Sequence, residues 1–340
     1  MRKKIEKLTI KGFKSIKELT EFPLGDVNII VGANGAGKSN FVQMFRMVRA
    51  MIQKAFQNFV ATHGGAASFL HNGLKATKAI EAEFDFGDHS YGFTLTPTAD
   101  ESFAISESNE LTDGACVANA ISNWAVYHFH DTSDRAPMRQ SEIVEDSAYL
   151  REDAANIAPF LKALREDGPD GVKSYHAIVD AVRLVMPFFD DFTLAPLRFG
   201  PAQKVKLTWT QKGTDYPFQP YHLSDGAIRF ICLATALLQP RPPTTIVIDE
   251  PELGLHPQAI AILADLIKAA ASRTQIIVAT QSPLLVDQFA VSDIIVAKRK
   301  DGATTLERLD EKDYVAWLED RAGRRHRWQN RHRQNALGQS

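Results

Sequence analysis

Cysteine, net charge and long apolar runs are what this 340-residue chain has least of. Its two cysteines, Cys116 and Cys232, lie far apart, which points to a reducing compartment rather than a disulfide framework. A formal net charge of −2 gives no general pull toward nucleic acid or membrane, so such a partner must be met by a local patch. The longest mostly apolar stretch, Ala227 to Leu238, contains Arg229 and is too short to span a bilayer. The N-terminus, Met1-Arg2-Lys3-Lys4, is basic, yet no apolar signal core follows it. A cytoplasmic protein with no membrane partner is therefore expected. Internal repeats and sustained heptads are also missing. What is present is a core: 44% of residues are hydrophobic, and this length suits one large α/β domain with an insertion, or two ordinary domains.

The most informative stretch is Gly32-Ala33-Asn34-Gly35-Ala36-Gly37-Lys38-Ser39. It follows the apolar run Val27 to Val31 and opens a helical pattern from Asn40 to Ala50, the strand–loop–helix setting of a phosphate-binding P-loop. Its glycines let successive backbone N–H groups point at one anion at a helix N-terminus. Lys38 adds charge for the β- and γ-phosphates, and the Ser39 hydroxyl is a Mg²⁺ ligand candidate. The loop implies a nucleoside triphosphate, with Gly32, Asn34, Gly35, Ala36, Gly37, Lys38, Ser39 and Asn40 as its contacts.

Around that loop the patterns alternate between strand and helix periods. Ile5 to Phe13 and Leu19 to Phe22 read as a β unit turning at Lys14-Ser15-Ile16. Phe41, Phe45, Val48 and Ile52 form a core-facing helical stripe, broken by Gly64-Gly65-Ala66. Ala79 to Phe86 and Tyr91 to Thr96 predict an antiparallel hairpin, with Phe103 to Ser106 as a further strand. From Leu111 to Ala195 the chain is less regular. Trp124 to Phe129 reads as a strand, and Asn156 to Arg165 and Tyr175 to Met186 as helices separated by Gly168-Pro169-Asp170-Gly171. Beyond Pro201 come a strand at Val205 to Thr210, a turn at Lys212-Gly213 and the buried helix to Leu238. Thr244 to Ile248, Gln275 to Ala279 and Asp293 to Ala297 read as buried parallel strands, and Pro257 to Ala271 as a helix.

Ile246-Val247-Ile248 ends in the adjacent carboxylates Asp249 and Glu250. Beside a P-loop in one sheet, Asp249 is placed to reach the Mg²⁺ on Ser39, and Glu250 to polarise an attacking water as general base. Leu223-Ser224-Asp225-Gly226 opens a helix, and by itself is an N-cap. His128 and His130 alternate on a strand, so they are expected on opposite faces and without a third metal ligand. The last twenty residues, Arg321 to Ser340, are basic without an acid. They read either as a flexible end or as a nucleic-acid or partner contact.

The order of these motifs resembles the ABC-type ATPase heads of the SMC, RecF and OLD class, and more narrowly the bacterial stand-alone predicted AAA family ATPases. The resemblance rests on Leu8 to Ser15, the P-loop, Leu223 to Gly226, Ile248-Asp249-Glu250-Pro251-Glu252-Leu253-Gly254-Leu255-His256-Pro257 and Val278 to Pro283. Tyr127 to Thr132, Asp215 to Phe218 and Trp317 to Asp320 carry the narrower likeness. It implies an α/β P-loop NTPase fold with a mainly parallel core sheet, an antiparallel β subdomain and a helical insertion. Expected segments are an N-terminal ATPase lobe at 1–110, the insertion at 111–195, a C-terminal lobe at 196–320 and the tail at 321–340. It also implies a head-to-tail homodimer formed on ATP binding, in which Ser224 and Gly226 of one subunit complete the site of the other. In that scheme ATP and Mg²⁺ are the cofactors, Asp249 holds the metal, Glu250 is the base, Gln281 sits at the switch position, and Gly254-Leu255-His256 crosses the interface.

Two positions depart from the family pattern. Asp225 stands where a transporter-type signature has glycine, so its carboxylate must point away from phosphate. Gln281 replaces a frequent histidine and cannot carry charge, which predicts slow hydrolysis. The segment His128 to Thr132 is the candidate glutamine-loop equivalent. Two readings stay open: an ATP hydrolase acting on DNA or a partner in repair or phage defence, and a weakly hydrolysing nucleotide-gated switch that controls an effector protein. A transporter subunit is disfavoured by the long segment between P-loop and signature, and an OLD-type nuclease by the few residues after the last core strand.

Overall fold

The computed structural model describes residues 4–108, 114–199 and 202–310. The basic tail and Trp317 to Asp320 lie outside them. The chain begins with the hairpin β1 (Lys7–Phe13) and β2 (Ile16–Pro23), and β3 (Val27–Val31) leads through the glycine loop into α1 (Lys38–Ile52). Two short helices, α2 (Phe56–Thr62) and α3 (Gly73–Ala76), precede the strands β4 (Ile80–Asp85), β5 (Ser90–Pro97) and β6 (Phe103–Ser108). α4 (Gly114–Ser122) then leads to β7 (Trp124–Tyr127). The central portion contains β8 (Glu142–Ile143), α5 (Ile157–Glu166), α6 (Gly168–Val185), β9 (Phe189–Thr193), β10 (Leu197–Phe199), β11 (Ala202–Val205), β12 (Thr208–Gln211) and β13 (Thr214–Phe218). Last come α7 (Asp225–Leu238), β14 (Thr245–Asp249), α8 (Pro257–Ala271), β15 (Gln275–Thr280), α9 (Pro283–Val286), β16 (Ile294–Lys300) and β17 (Ala303–Arg308).

The main sheet has the order β17-β16-β3-β15-β14-β7. Every pairing in it is parallel except that of β16 with the edge strand β17. Its central strands are apolar on both faces because both faces are covered. Ile29, Val31, Ile246, Ile248, Ile276 and Val278 pack into one core, shared with α5 to α8. The alternate residues Ile30, Val247, Ile277 and Ala279 pack into a second core, under α1 and a five-stranded antiparallel sheet of order β2-β1-β4-β5-β6. Residues one apart on a strand thus serve opposite cores, as the pleat requires.

Four local expectations are revised. The P-loop helix ends at Ile52, and α2 intervenes before Gly64-Gly65. Gly168 to Gly171 is the first turn of α6, with Pro169 in the first turn, where its missing N–H costs nothing. The strand expected at Val205 to Thr210 is divided: Val205 ends β11, and Thr208 begins β12 in another three-stranded sheet. His128 and His130 are not on opposite faces. β7 stops at Tyr127, so strand alternation no longer applies, and the two rings lie 3.8 Å apart.

Candidate nucleotide site

In an open parallel sheet, ligands bind outside the carboxyl ends of the strands. Here β3 ends in the P-loop, β14 in Asp249-Glu250, and β15 in Thr280-Gln281-Ser282. Because β15 lies between β3 and β14, the switch residue falls between phosphate loop and acidic pair. The sheet order alone brings the three together.

The P-loop is built by backbone geometry and held from two sides. Gly35 and Gly37 have φ of 78° and 103°, which L side chains rarely adopt. A Cβ on Gly37 would run into the hydroxyls of Ser15 and Thr304. Thr304 Oγ1 donates to Ala36 O at 2.8 Å, and its hydroxyl lies 2.7 Å from Ser15 Oγ. The Asn40 amide also donates to Ser15 Oγ, at 2.7 Å. Asn40 is therefore turned toward the β1–β2 hairpin. Lys38 is buried, and its Nζ donates to Gly32 O at 2.8 Å and Ala33 O at 3.3 Å, spanning the loop it is expected to serve. Asn34, Gly35 and Ser39 are exposed.

The Ser39 hydroxyl lies near enough to the Asp249 carboxylate to favour its ionised form. Burial pushes the Asp249 pKa above the ordinary carboxylate value, and His130, Arg46, Ser39 and Lys38 pull it partly back. Its Oδ1 is buried without a partner. A buried, unpaired carboxylate oxygen beside a serine hydroxyl is an all-oxygen donor set suited to Mg²⁺, so these residues fit the expected metal. Glu250, the next residue, has φ 47°, a left-handed conformation that is costly without a glycine and that clusters at functional sites. Its N–H donates to Ala279 O at 2.7 Å, and its Oε1 accepts from Gln281 Nε2 at 3.1 Å. The expected base and the residue at the expected switch position therefore touch.

The segment after β7 closes the same region. His130 Nε2 lies 3.0 Å from Asp249 O. Burial, then the neighbouring His130 and Arg46, lower the His128 pKa to about 4, so His128 is uncharged at neutral pH. Among the described residues, no cluster of three or more His, Cys, Asp or Glu can hold a metal.

Ser224 caps α7, its Oγ accepting from Ala227 N at 3.2 Å, and it is exposed. Gly226 packs on Gly254, and a Cβ there would meet Gly254 O well inside 3.0 Å. The signature helix thus touches the 250–256 loop of its own chain. The Asp225 carboxylate pairs with Arg139 Nη2 at 3.2 Å.

Three residues of this region were missed. Arg139, 4% exposed, donates to Thr132 O, Pro220 O and Leu223 O as well as to Asp225. Nothing in the irregular stretch around it marks it out. Arg229 bonds Phe129 O, His130 O and Leu253 O, joining three segments. A lone arginine in the apolar Ala227 to Leu238 run was its visible signal, since a buried cation must be paired. Glu252 lay inside a quoted motif, overshadowed by the pair before it. Replacing Arg139 with methionine should destabilise the chain by about 3 kcal/mol in urea unfolding, because it orphans buried carbonyls. Asp225→Asn, whose side chain is 67% exposed, should cost under about 1 kcal/mol. Equal losses would show that the ion pair, not the carbonyl cluster, is what Arg139 supplies.

Comparison with known proteins bears on the fold and the family. Among solved structures, the SMC head bound to the C-terminal winged-helix domain of ScpA superposes with a TM-score of 0.61 at 17% identity, covering 92% of this chain and 99% of that one. An SMC head with an extended coiled coil, bound to the C-terminal domain of ScpA derived from Pyrococcus furiosus, gives 0.58 at 18% identity, covering 93% and 98%. The SMC head domain from Thermotoga maritima gives 0.51 at 13% identity, covering 91% and 100%. At these identities the likeness is one of fold. The Structural maintenance of chromosomes protein 3 of Arabidopsis thaliana is 37% identical over 92 residues, which is 26% of this chain and 7% of that protein's length. Residues 27–287 match the model of the family described as AAA domain, putative AbiEii toxin, Type IV TA system. With most of its length matched, the chain belongs to that AAA-domain family, and its fold resembles that of the SMC heads.

Proposed function

We propose that this protein hydrolyses ATP to ADP and phosphate and does so as an ATP-sandwiched homodimer. The observation that carries the reading is the meeting of Glu250 with Gln281 beside the P-loop and Asp249. The P-loop N–H groups and Lys38 would bind the phosphates, and Lys38 would exchange its loop carbonyls for phosphate oxygens. Ser39 and Asp249 would hold Mg²⁺, which when bound neutralises charge on the β- and γ-phosphates. Glu250 would take the proton of the attacking water, and the Gln281 amide would orient it. The exposed Ser224 hydroxyl and the free N–H groups of the α7 start would bind the γ-phosphate held by the partner subunit. ATP binding would then favour the closed dimer, and loss of the γ-phosphate would reopen it.

The relatives named above support a DNA-related or defence setting, with DNA or an effector protein as the partner that reads the dimer's state. A second reading is a switch that binds ATP and hardly cleaves it. The same contact favours it, since the Glu250 carboxylate is already engaged by an uncharged side chain. Phosphate release with Mg²⁺-ATP, together with molar mass by light scattering, separates the two. The hydrolase gives steady release, slower than the roughly 10 s⁻¹ of a median enzyme, and an ATP-dependent doubling of mass. The switch gives the doubling alone. A monomer under both conditions removes the sandwich.

A further inference from the structure

Glu252 is the second carboxylate after β14, and no step above uses it. It is 9% exposed. Its Oε1 accepts from Thr280 Oγ1 at 2.6 Å, from Gln281 N at 3.1 Å and from Ser282 N at 3.1 Å. Its Oε2 is buried without a partner. Three donors from consecutive residues converge on one oxygen of a buried anion, and hydrogen bonds to an ionised acceptor are the strong ones. Ser282 N also reaches Thr280 Oγ1 at 3.0 Å, so the turn leaving β15 is closed around this carboxylate. That turn carries Gln281.

We propose that Glu252 is a positioning residue for ATP hydrolysis: by fixing the 280–282 backbone it aims the Gln281 side chain at Glu250. The inference rests on the hydrolase reading above. Geometry supports a role beyond packing. The Glu252 side chain holds the switch turn, while its own backbone O accepts from Leu255 N at 3.0 Å in the loop that carries Gly254. Gly254 in turn packs on Gly226 and approaches Arg229 of the signature helix. One residue thus ties the loop beneath the signature to the side chain that touches the base. Both ends of the Glu250–Gln281 contact are set within two short turns. A small rotation of either turn separates Nε2 from Oε1, and displacements of about 1 Å at a reacting centre are costly in rate.

The test is a double-mutant cycle on turnover, with hydrogen exchange beside it. Glu252→Ala and Gln281→Ala should each lower kcat by about tenfold, with ATP affinity within about twofold of wild type. If Glu252 acts through Gln281, the double variant also loses about tenfold; independent roles multiply to about a hundredfold and overturn the proposal. Glu252→Gln keeps an acceptor at the Oε1 position and should restore most of kcat, which loss of folding stability alone does not predict. In the full chain without nucleotide, the Gln281 and Ser282 amides should exchange at least about tenfold faster in Glu252→Ala than in wild type or Glu252→Gln. Unchanged exchange also overturns the proposal. Where Glu252→Ala does not fold, Glu252→Asp, one methylene short of the turn, takes its place in both arms. A wild type without any turnover removes the hydrolase reading and this inference together. Turnover with multiplying losses removes the inference alone.

Discussion

Glu250→Gln is expected to lower ATP turnover by at least about a hundredfold, equivalent to about 2.7 kcal/mol of transition-state stabilisation. ATP binding should hold within a few-fold, and the nucleotide-dependent dimer should persist for longer than that of wild type. The substitution keeps shape and removes one thing, the basicity of the carboxylate. The glutamine oxygen still accepts from Gln281 Nε2, now seen at 3.1 Å, and the backbone at φ 47° need not move. Ground-state contacts therefore survive while proton transfer from water does not, which is the signature of a group needed only in the transition state. Gln281→Ala should cost less, about tenfold, because it removes an orienting amide and no charge. Retention of more than a third of wild-type turnover in Glu250→Gln would remove Glu250 as the base. Phosphate release measured alongside filter-binding of labelled ATP decides the matter.

How much of this site is legible in sequence depends on how local each contact is. The P-loop and Asp249-Glu250 are legible because each is a run of adjacent residues ending a continuous apolar strand. The buried strands β3, β14 and β15 are legible for the same reason: burial on both faces leaves no polar positions to blur the run. Sheet order is a different kind of fact. Nothing local to Gln275–Thr280 says that it lies between β3 and β14, and only the family resemblance placed Gln281 near the γ-phosphate. Thr304 and Arg139 were invisible because they hold backbone carbonyls more than 80 residues away, and a carbonyl leaves no mark on composition. The helix start at Gly168-Pro169 was misread as a spacer because turn residues and a proline-led first turn share a composition. The β11–β12 break at Lys206-Leu207 has no glycine or proline to announce it. His128 and His130 show the limit of periodicity arguments: they apply only while the strand continues, and this one had ended.

Gly226→Ala should uncouple nucleotide binding from assembly. A Cβ at residue 226 would sit against Gly254 O, inside 3.0 Å, and close to Gly254 C and Leu255 Cα. All three are backbone atoms, so no side chain can rotate aside, and the helix start must part from the 250–256 loop by on the order of 1 Å. Gly254 itself is at φ 72°, which limits how its loop can yield. The P-loop, Lys38 and Asp249 are not part of that contact, so ATP should still bind with an affinity within about threefold of wild type. The displaced Ser224 and α7 N–H groups would no longer meet a γ-phosphate held by the partner, so the ATP-dependent dimer should be lost and turnover should fall about a hundredfold. Overpacking of this kind costs about 1–3 kcal/mol, which a thermal melt detects without confusing it with unfolding. Gly213→Ala is the converse control: φ is 85° there, a strain that Gly226 lacks, but nothing lies within 4 Å of the added carbon, so it has backbone strain without a clash and should assemble normally. An ATP-dependent dimer of Gly226→Ala, indistinguishable from wild type by light scattering, would mean that the signature helix does not touch the shared nucleotide, and the sandwich would fall with it.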